Sequence, residues 1–236
     1  MDSVLKYIIA LTNFYGVATP QIVVAVYNQQ NDDPISEDSI HQYIIKPPKE
    51  LAEHYVFVEG GLFVHDSLFV GNDTLINLIE EKNNKPYYIP ERRELKKYLD
   101  ANYIEKNEHY YRLYRYLRKQ FGDMSDDLIE EICNNFVFAL KDGELNFGFI
   151  IQQLRSFGIS LEDSQDFQQI VKLIADLGLN VRLWENNGFT RKEFFEQEVS
   201  SLLHYEVYEQ HSSEKSYSSG EMTSKEKIRH LDDYRC

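Results

Sequence analysis

The chain has 236 residues, 42% hydrophobic and 27% charged, with 17 Tyr and 14 Phe, so it can bury a real core and is not disordered throughout. Its formal net charge of −14 disfavours nucleic-acid phosphate and anionic membrane as partners, and favours solubility or a basic protein. Cys133 and Cys236 are its only cysteines, which excludes a disulfide framework and a Cys-based zinc site and fits a reducing, cytoplasmic setting.

Residues 4–11 (VLKYIIAL) carry helical apolar spacing. They lack a basic flank and break at Thr12 and Asn13, so they do not read as a signal peptide. No run of about 18 apolar residues follows, and no membrane span is expected. Thr19 before Pro20 predicts the N-cap and first turn of a second helix over 20–29. Ser36 predicts the cap of a third helix carrying Ile40, Tyr43 and Ile44. YVFVEGGLFVH (Tyr55 to His65) predicts a hairpin turning at Glu59, Gly60 and Gly61.

Three short helices plus a hairpin outline a winged-helix-like module over residues 1–70. Its charge argues against DNA binding: Lys6, Lys46 and Lys49 stand against nine Asp and Glu, a net of −6, and the candidate recognition helix opens Ser36, Glu37, Asp38.

From Asp73 a helical array is expected, making the fold mainly α, with an α-helical domain over 71–203. Helices are predicted near 74–82, 91–101, 107–121, 126–140, 144–156, 161–186 and 191–203. In the fourth, Leu128, Ile129, Ile132, Cys133, Phe136, Val137 and Leu140 form one stripe, which makes Cys133 a small buried hydrophobe. Residues 204–236 are polar and read as a flexible tail.

The stretch NVRLWENNGFTRKEFF (180–195) holds the only tryptophan, Trp184. Ile170, Ile174, Leu177, Val181 and Trp184 predict one long helix running through Gly178 to the tryptophan, opened by a Ser160 and Asp163 capping box. Asn187 and Gly188 predict its left-handed stop, and Thr190 with Glu193 a second capping box starting the last helix. The reading is a structural corner: Trp184 packs beneath it, while Arg182, Asn186 and Asn187 bond backbone carbonyls or a neighbour.

NVRLWENNGFTRKE, together with KPYYIP (Lys85 to Pro90) and LTNFYGVATPQIVVAVYNQQ, resembles a group of uncharacterised, mainly Firmicute bacterial proteins whose members often end in a SEC-C zinc-binding motif. The resemblance covers about residues 5–200. Members tend to carry His and Pro where this chain has Phe189 and Arg191, and the terminal Cys-rich module is missing here, so no zinc is implied. The resemblance implies an architecture and transfers no activity.

Residues 92–119 hold nine Lys and Arg against four acids. Within them HYYRLYRYLRK interleaves tyrosine and arginine, the chemistry of base stacking with phosphate contact. On a helix Tyr110, Leu113, Tyr114, Leu117 and Phe121 form a buried face. The arginines then lie on the solvated side, able to pair with the protein's own acids; the alternative takes Tyr111, Arg112, Arg115, Arg118 and Lys119 as a nucleic-acid or anion site.

The seven histidines show no ligand spacing for a metal. No phosphate loop, GxSxG or kinase motif is present, and neither a catalytic residue nor a cofactor is assigned. The expected function is a non-catalytic cytoplasmic interaction or adaptor protein that binds a protein partner through an acidic surface near Glu37 and Asp38. The alternatives are nucleic-acid binding through 92–119, and an acidic nucleic-acid mimic occupying a basic protein.

Overall fold

The computed structural model describes residues 1–71, 73–141, 145–159 and 164–200. Residues Met1–Phe194 form one compact unit, and Phe195–Cys236 a second, of which 195–200 are described as helical. The predicted cap pair Ser160 and Asp163, residues 201–203 and the tail 204–236 lie outside the described residues. The described chain is mainly helical with one small three-stranded antiparallel sheet. None of its helices is long and apolar enough to cross a membrane.

Helix α1 (Ser3–Tyr15) starts where Asp2 Oδ1 accepts the Leu5 amide at 2.8 Å, and runs four residues beyond the predicted apolar stretch. The polar residues that break the pattern are satisfied inside the core. Thr12 Oγ1 donates to Ile8 O at 2.7 Å, and Asn13 Nδ2 donates to Tyr98 O at 2.8 Å. Ile8, Ile9, Leu11, Phe14 and Tyr15 are all buried, so α1 is enclosed on every side. Each such side chain stabilises the fold by about 1.5–3 kcal/mol.

Strand β1 (Val17–Ala18), two residues long and without any pattern to predict it, follows at once. Helix α2 (Pro20–Gln30) begins as expected, Thr19 Oγ1 accepting the Ile22 amide. Helix α3 (Glu37–Ile45) has Ser36 at its N-cap position, but the serine hydroxyl lies 3.3 Å from Ser39 Oγ and makes no capping bond. Glu37 and Asp38 in the first turn supply the favourable charge instead. A short helix α4 (Lys49–Glu53) after Pro47 and Pro48 was not signalled by periodicity. Strands β2 (Val56–Glu59) and β3 (Leu62–His65) form the predicted hairpin, but Glu59, expected in the turn, ends β2 opposite Leu62 and the turn is Gly60–Gly61; β1 adds to the other side of β3. The sheet order is β1-β3-β2, which leaves β2 at an edge.

The array continues with α5 (Thr74–Lys82), α6 (Arg92–Leu95) leading into a 3-10 turn Lys96–Leu99, α7 (Glu108–Gln120), α8 (Asp126–Lys141), α9 (Phe147–Ser156) and α10 (Ser164–Leu179). Three apolar clusters organise the described elements. One gathers the N-terminal segment with Leu95 and Tyr98; a second gathers α7, α8, α9 and α10 with Leu183; the third joins Val17, Val64 and Leu68 to Leu78 of α5. Ile129, Ile132, Cys133, Phe136, Val137 and Leu140 are buried on one side of α8. Burial, then Glu130, pushes the Cys133 thiol up to about 12, the behaviour of an inert hydrophobe.

One predicted helix is too long. The spacing of Ile170 to Trp184 predicts continuity to Trp184, yet α10 stops at Leu179. Asn180 ends it: its amide bonds Leu177 O, its Nδ2 donates to Asp176 O at 2.8 Å, and its carbonyl accepts Asn107 Nδ2 at 2.7 Å. Val181 and Leu183 remain buried, Val181 in the bend after α10 and Leu183 on extended backbone, so an apolar repeat survives where the helix does not.

Candidate functional site

Beyond Asn180 the chain folds back on itself. Arg182 pairs antiparallel with Thr190, a 3-10 turn spans Trp184–Asn186, and Asn187 (φ 49°) and Gly188 (φ 85°) take left-handed backbone. The corner expected of these residues is present, but it closes a loop rather than the long helix. Gly188 is required sterically: a Cβ there would lie 2.4 Å from Phe14 Cε1 and 3.0 Å from Tyr15 Cε1. The capping box at its exit forms as predicted. Thr190 N donates to Glu193 Oε2 at 2.9 Å, and Glu193 N donates to Thr190 Oγ1 at 3.1 Å.

The corner is a hub for distant segments. Asn187 Nδ2 donates to Lys82 O and Lys85 O, and Asn187 O accepts the Tyr88 amide, which pins 82–88. Arg182 stacks 3.7 Å from the Tyr88 ring centroid and meets Glu94 at 3.1 Å, Glu105 at 3.2 Å and Glu193 at 3.1 Å. One cation therefore holds three carboxylates from three segments. Burial raises the Glu105 pKa, and Arg182 only partly offsets it. Asn186 is buried and accepts Lys85 Nζ at 3.1 Å.

The lysines of this hub carry no signal in the sequence. Lys82 closes α5 with an apolar-side position indistinguishable from a solvated one. It is buried, donates to Tyr15 O at 2.7 Å and Trp184 O at 3.3 Å, and lies over the rings of Tyr15 and Tyr87. Burial, then Lys85, lowers its pKa to about 7. Lys85 and Tyr88 fall within KPYYIP, and the tertiary role of that motif is to receive the corner.

Trp184 makes a separate set of contacts. Its Nε1 donates to Asn13 O at 3.2 Å, its ring lies 5.1 Å from that of His65, and it packs on Gly16, where a Cβ would come within 2.6 Å of the indole.

The basic helix divides its cations. Tyr110, Leu113 and Leu117 of α7 are buried as expected, and Tyr114 and Phe121 partly so. Arg118 is used internally: it pairs with Asp126 at 2.6 Å and donates to Gly122 O and Met124 O. Arg112, Arg115 and Lys119 are exposed and meet no acid among the described residues; Tyr111 is exposed beside them.

The hairpin presents a different surface. Phe57 and Phe69 are 44% and 48% exposed and contact each other edge to face at 6.1 Å, with Val70, 89% exposed, next in the chain. Tyr55 is also half exposed. No sequence pattern separated these from the inward residues Val56, Phe63 and Val64, because both faces of the hairpin are apolar. Glu37, expected in an acidic binding surface, accepts Gln21 Nε2 at 2.7 Å, and Asp38 is exposed.

Among the described residues, no group of three or more His, Cys, Asp or Glu is placed to hold a metal ion. Comparison with family models, curated proteins and solved structures finds no match to this chain.

Proposed function

We propose that the protein is a non-catalytic interaction module that takes an extended, basic segment of a partner protein along the free edge of strand β2. The observation that carries this reading is that, among the described residues, β2 is an unpaired edge of the three-stranded sheet, flanked by the exposed side chains of Tyr55, Phe57, Phe69 and Val70. Edge strands are usually blunted by Lys or Pro, and Val56–Glu59 contains neither. Addition of a strand supplies main-chain hydrogen bonds, and the aromatic pair supplies an apolar anchor. The net charge of −14 favours a basic segment.

The order helix, strand, helices, hairpin, with β1 placed on β3, supports a winged-helix-like reading of residues 1–70. In that reading the wing carries the contact and the acidic start of α3 excludes DNA. The test is affinity capture by the full chain and by the Phe57→Ser, Phe69→Ser double variant, both residues being exposed. Loss of a basic partner on substitution is the expected result, and undiminished capture of the same partner overturns the reading.

A second reading, nucleic-acid binding through α7, is favoured by one observation: Arg112, Arg115 and Lys119 are exposed and meet no acid among the described residues, while Tyr111 lies exposed among them. It requires that binding fall steeply with salt and be abolished by reversing those three charges, with Arg118 left intact. Salt-insensitive retention after reversal removes it.

A further inference from the structure

A cleft of about 300 Å³ opens beside Trp184, walled by Tyr55, His65, Tyr98, Tyr103 and the indole, with Asn13 of α1 also in its lining. Its rings are mutually ordered. His65 lies between Tyr55 and Trp184, at 6.4 Å and 5.1 Å, and Tyr98 meets Tyr103 edge to face at 5.0 Å. A volume at the low end of the roughly 300–1,000 Å³ range of ligand pockets suits one ring system rather than a dinucleotide.

Two polar groups in this lining have hydrogen-bonding capacity that no described residue takes up. Asn13 is 6% exposed; its Nδ2 donates to Tyr98 O, but its Oδ1 is buried and accepts no hydrogen bond among the described residues. Buried amide oxygens are nearly always satisfied, so this acceptor points to a donor that lies outside the described residues, such as a ligand in the cleft. His65 has a definite tautomer when neutral. The Ser67 amide donates to Nδ1 at 3.3 Å, with Ser67 Oγ also 2.9 Å from Nδ1, so the ring hydrogen sits on Nε2. Burial favours that neutral form although Asp66 Oδ1 is 3.3 Å from Nδ1.

We propose that this cleft binds a planar nitrogen heterocycle of the nucleobase class, its ring N–H donating to Asn13 Oδ1, its own acceptor receiving His65 Nε2–H, and its face stacked on Trp184. Tyr55 borders both this cleft and the β2 edge, but the contacts assigned to the heterocycle fall on Asn13, His65 and Trp184. The site requires a donor and an acceptor on one flat ring, which a hydrocarbon or a simple anion lacks. Recognition by stacking plus edge hydrogen bonds follows the general chemistry of base binding by aromatic side chains.

The only tryptophan of the chain is in the cleft wall, so its fluorescence reports occupancy directly. The full chain is titrated with adenine, xanthine, cytosine and uracil, with caffeine as a ring that stacks but has lost its N–H groups. The expected result is a saturable change in Trp184 emission with at least one base, and xanthine binding at least about tenfold more tightly than caffeine. His65→Phe keeps a flat ring and removes the donor, and should weaken the best base by about tenfold with an unchanged circular dichroism spectrum. The proposal is overturned by no saturable change with any of the four bases, by equal binding of xanthine and caffeine, or by a folded His65→Phe variant that binds as the parent does. If His65→Phe does not fold, the xanthine and caffeine pair decides on the parent protein alone.

Discussion

Replacing Gly188 with Ala tests whether the corner is held by close packing or only by local backbone preference. The backbone at Gly188 has φ 85°, where an L-residue costs about 1–2 kcal/mol. The added methyl would also start 2.4 Å from Phe14 Cε1 and 3.0 Å from Tyr15 Cε1, two rings buried on α1 and unable to swing aside. Forcing a methylene into such a site costs a further ~1–3 kcal/mol. The total is about 2–5 kcal/mol, a large fraction of a typical domain's stability. Gly61→Ala is the internal control. Its φ of 82° is nearly the same, but nothing lies within 4 Å of its would-be Cβ, so it should cost only the ~1–2 kcal/mol of backbone strain. The assay is urea unfolding of the three proteins followed by Trp184 fluorescence and by circular dichroism. A Gly188→Ala loss within about 0.5 kcal/mol of the Gly61→Ala loss would refute the packing argument, because the shared strain would then account for both.

Three further outcomes follow from the hub and the core. Arg182→Met keeps an unbranched apolar stem but removes the guanidinium, leaving Glu94, Glu105 and Glu193 facing one another. It should destabilise by about 2–3 kcal/mol, less than for a fully buried pair because Glu105 and Glu193 keep some water, and the loss should shrink in acid as Glu105 takes up its proton. A loss below about 0.5 kcal/mol in urea unfolding would mean the three carboxylates do not need Arg182. Lys82 is folded with a pKa near 7 against 10.5 unfolded, so the unfolded chain binds more protons between these values and stability must rise with pH. Between pH 7 and 9 the gain is about 2 kcal/mol, and Lys82→Met abolishes it; equal slopes in the two proteins would contradict the burial of the ammonium. In a Cys236→Ser background, Cys133 should react with a thiol reagent only after unfolding, and rapid labelling of the native protein would show that the α8 face opens.

What could be read from the sequence is what is decided within a few residues. The Thr19 cap, the hairpin turning through Gly60 and Gly61, the stripe of α8 and the Thr190 and Glu193 box all formed as their spacing required. Each depends on neighbours no more than a helical turn or a tight turn away. Misreadings arose where a distant partner overruled that local logic. Helical apolar spacing extends only over residues 4–11, yet Tyr98, 85 residues on, satisfies Asn13 and α1 continues to Tyr15. The stripe to Trp184 argued for helix, yet Asn107 takes the carbonyl of Asn180 and the chain turns.

The candidate sites divide in the same way. Sequence picked out Arg182, Asn186 and Asn187 as polar residues at a turn, and Arg112, Arg115 and Lys119 as solvated cations. It could not say that Arg182 gathers three carboxylates, that Arg118 serves a loop, or that Lys82 loses its water. Composition and periodicity by themselves determined a mainly helical chain with a short hairpin and an inert Cys133, because burial of periodic apolar faces dominates folding at that scale. The tertiary structure alone decided the hub and the cleft: the bond from Lys82 to Tyr15 spans 67 residues and that from Trp184 to Asn13 spans 171, and the charge state and solvation of a side chain depend on which segments close over it.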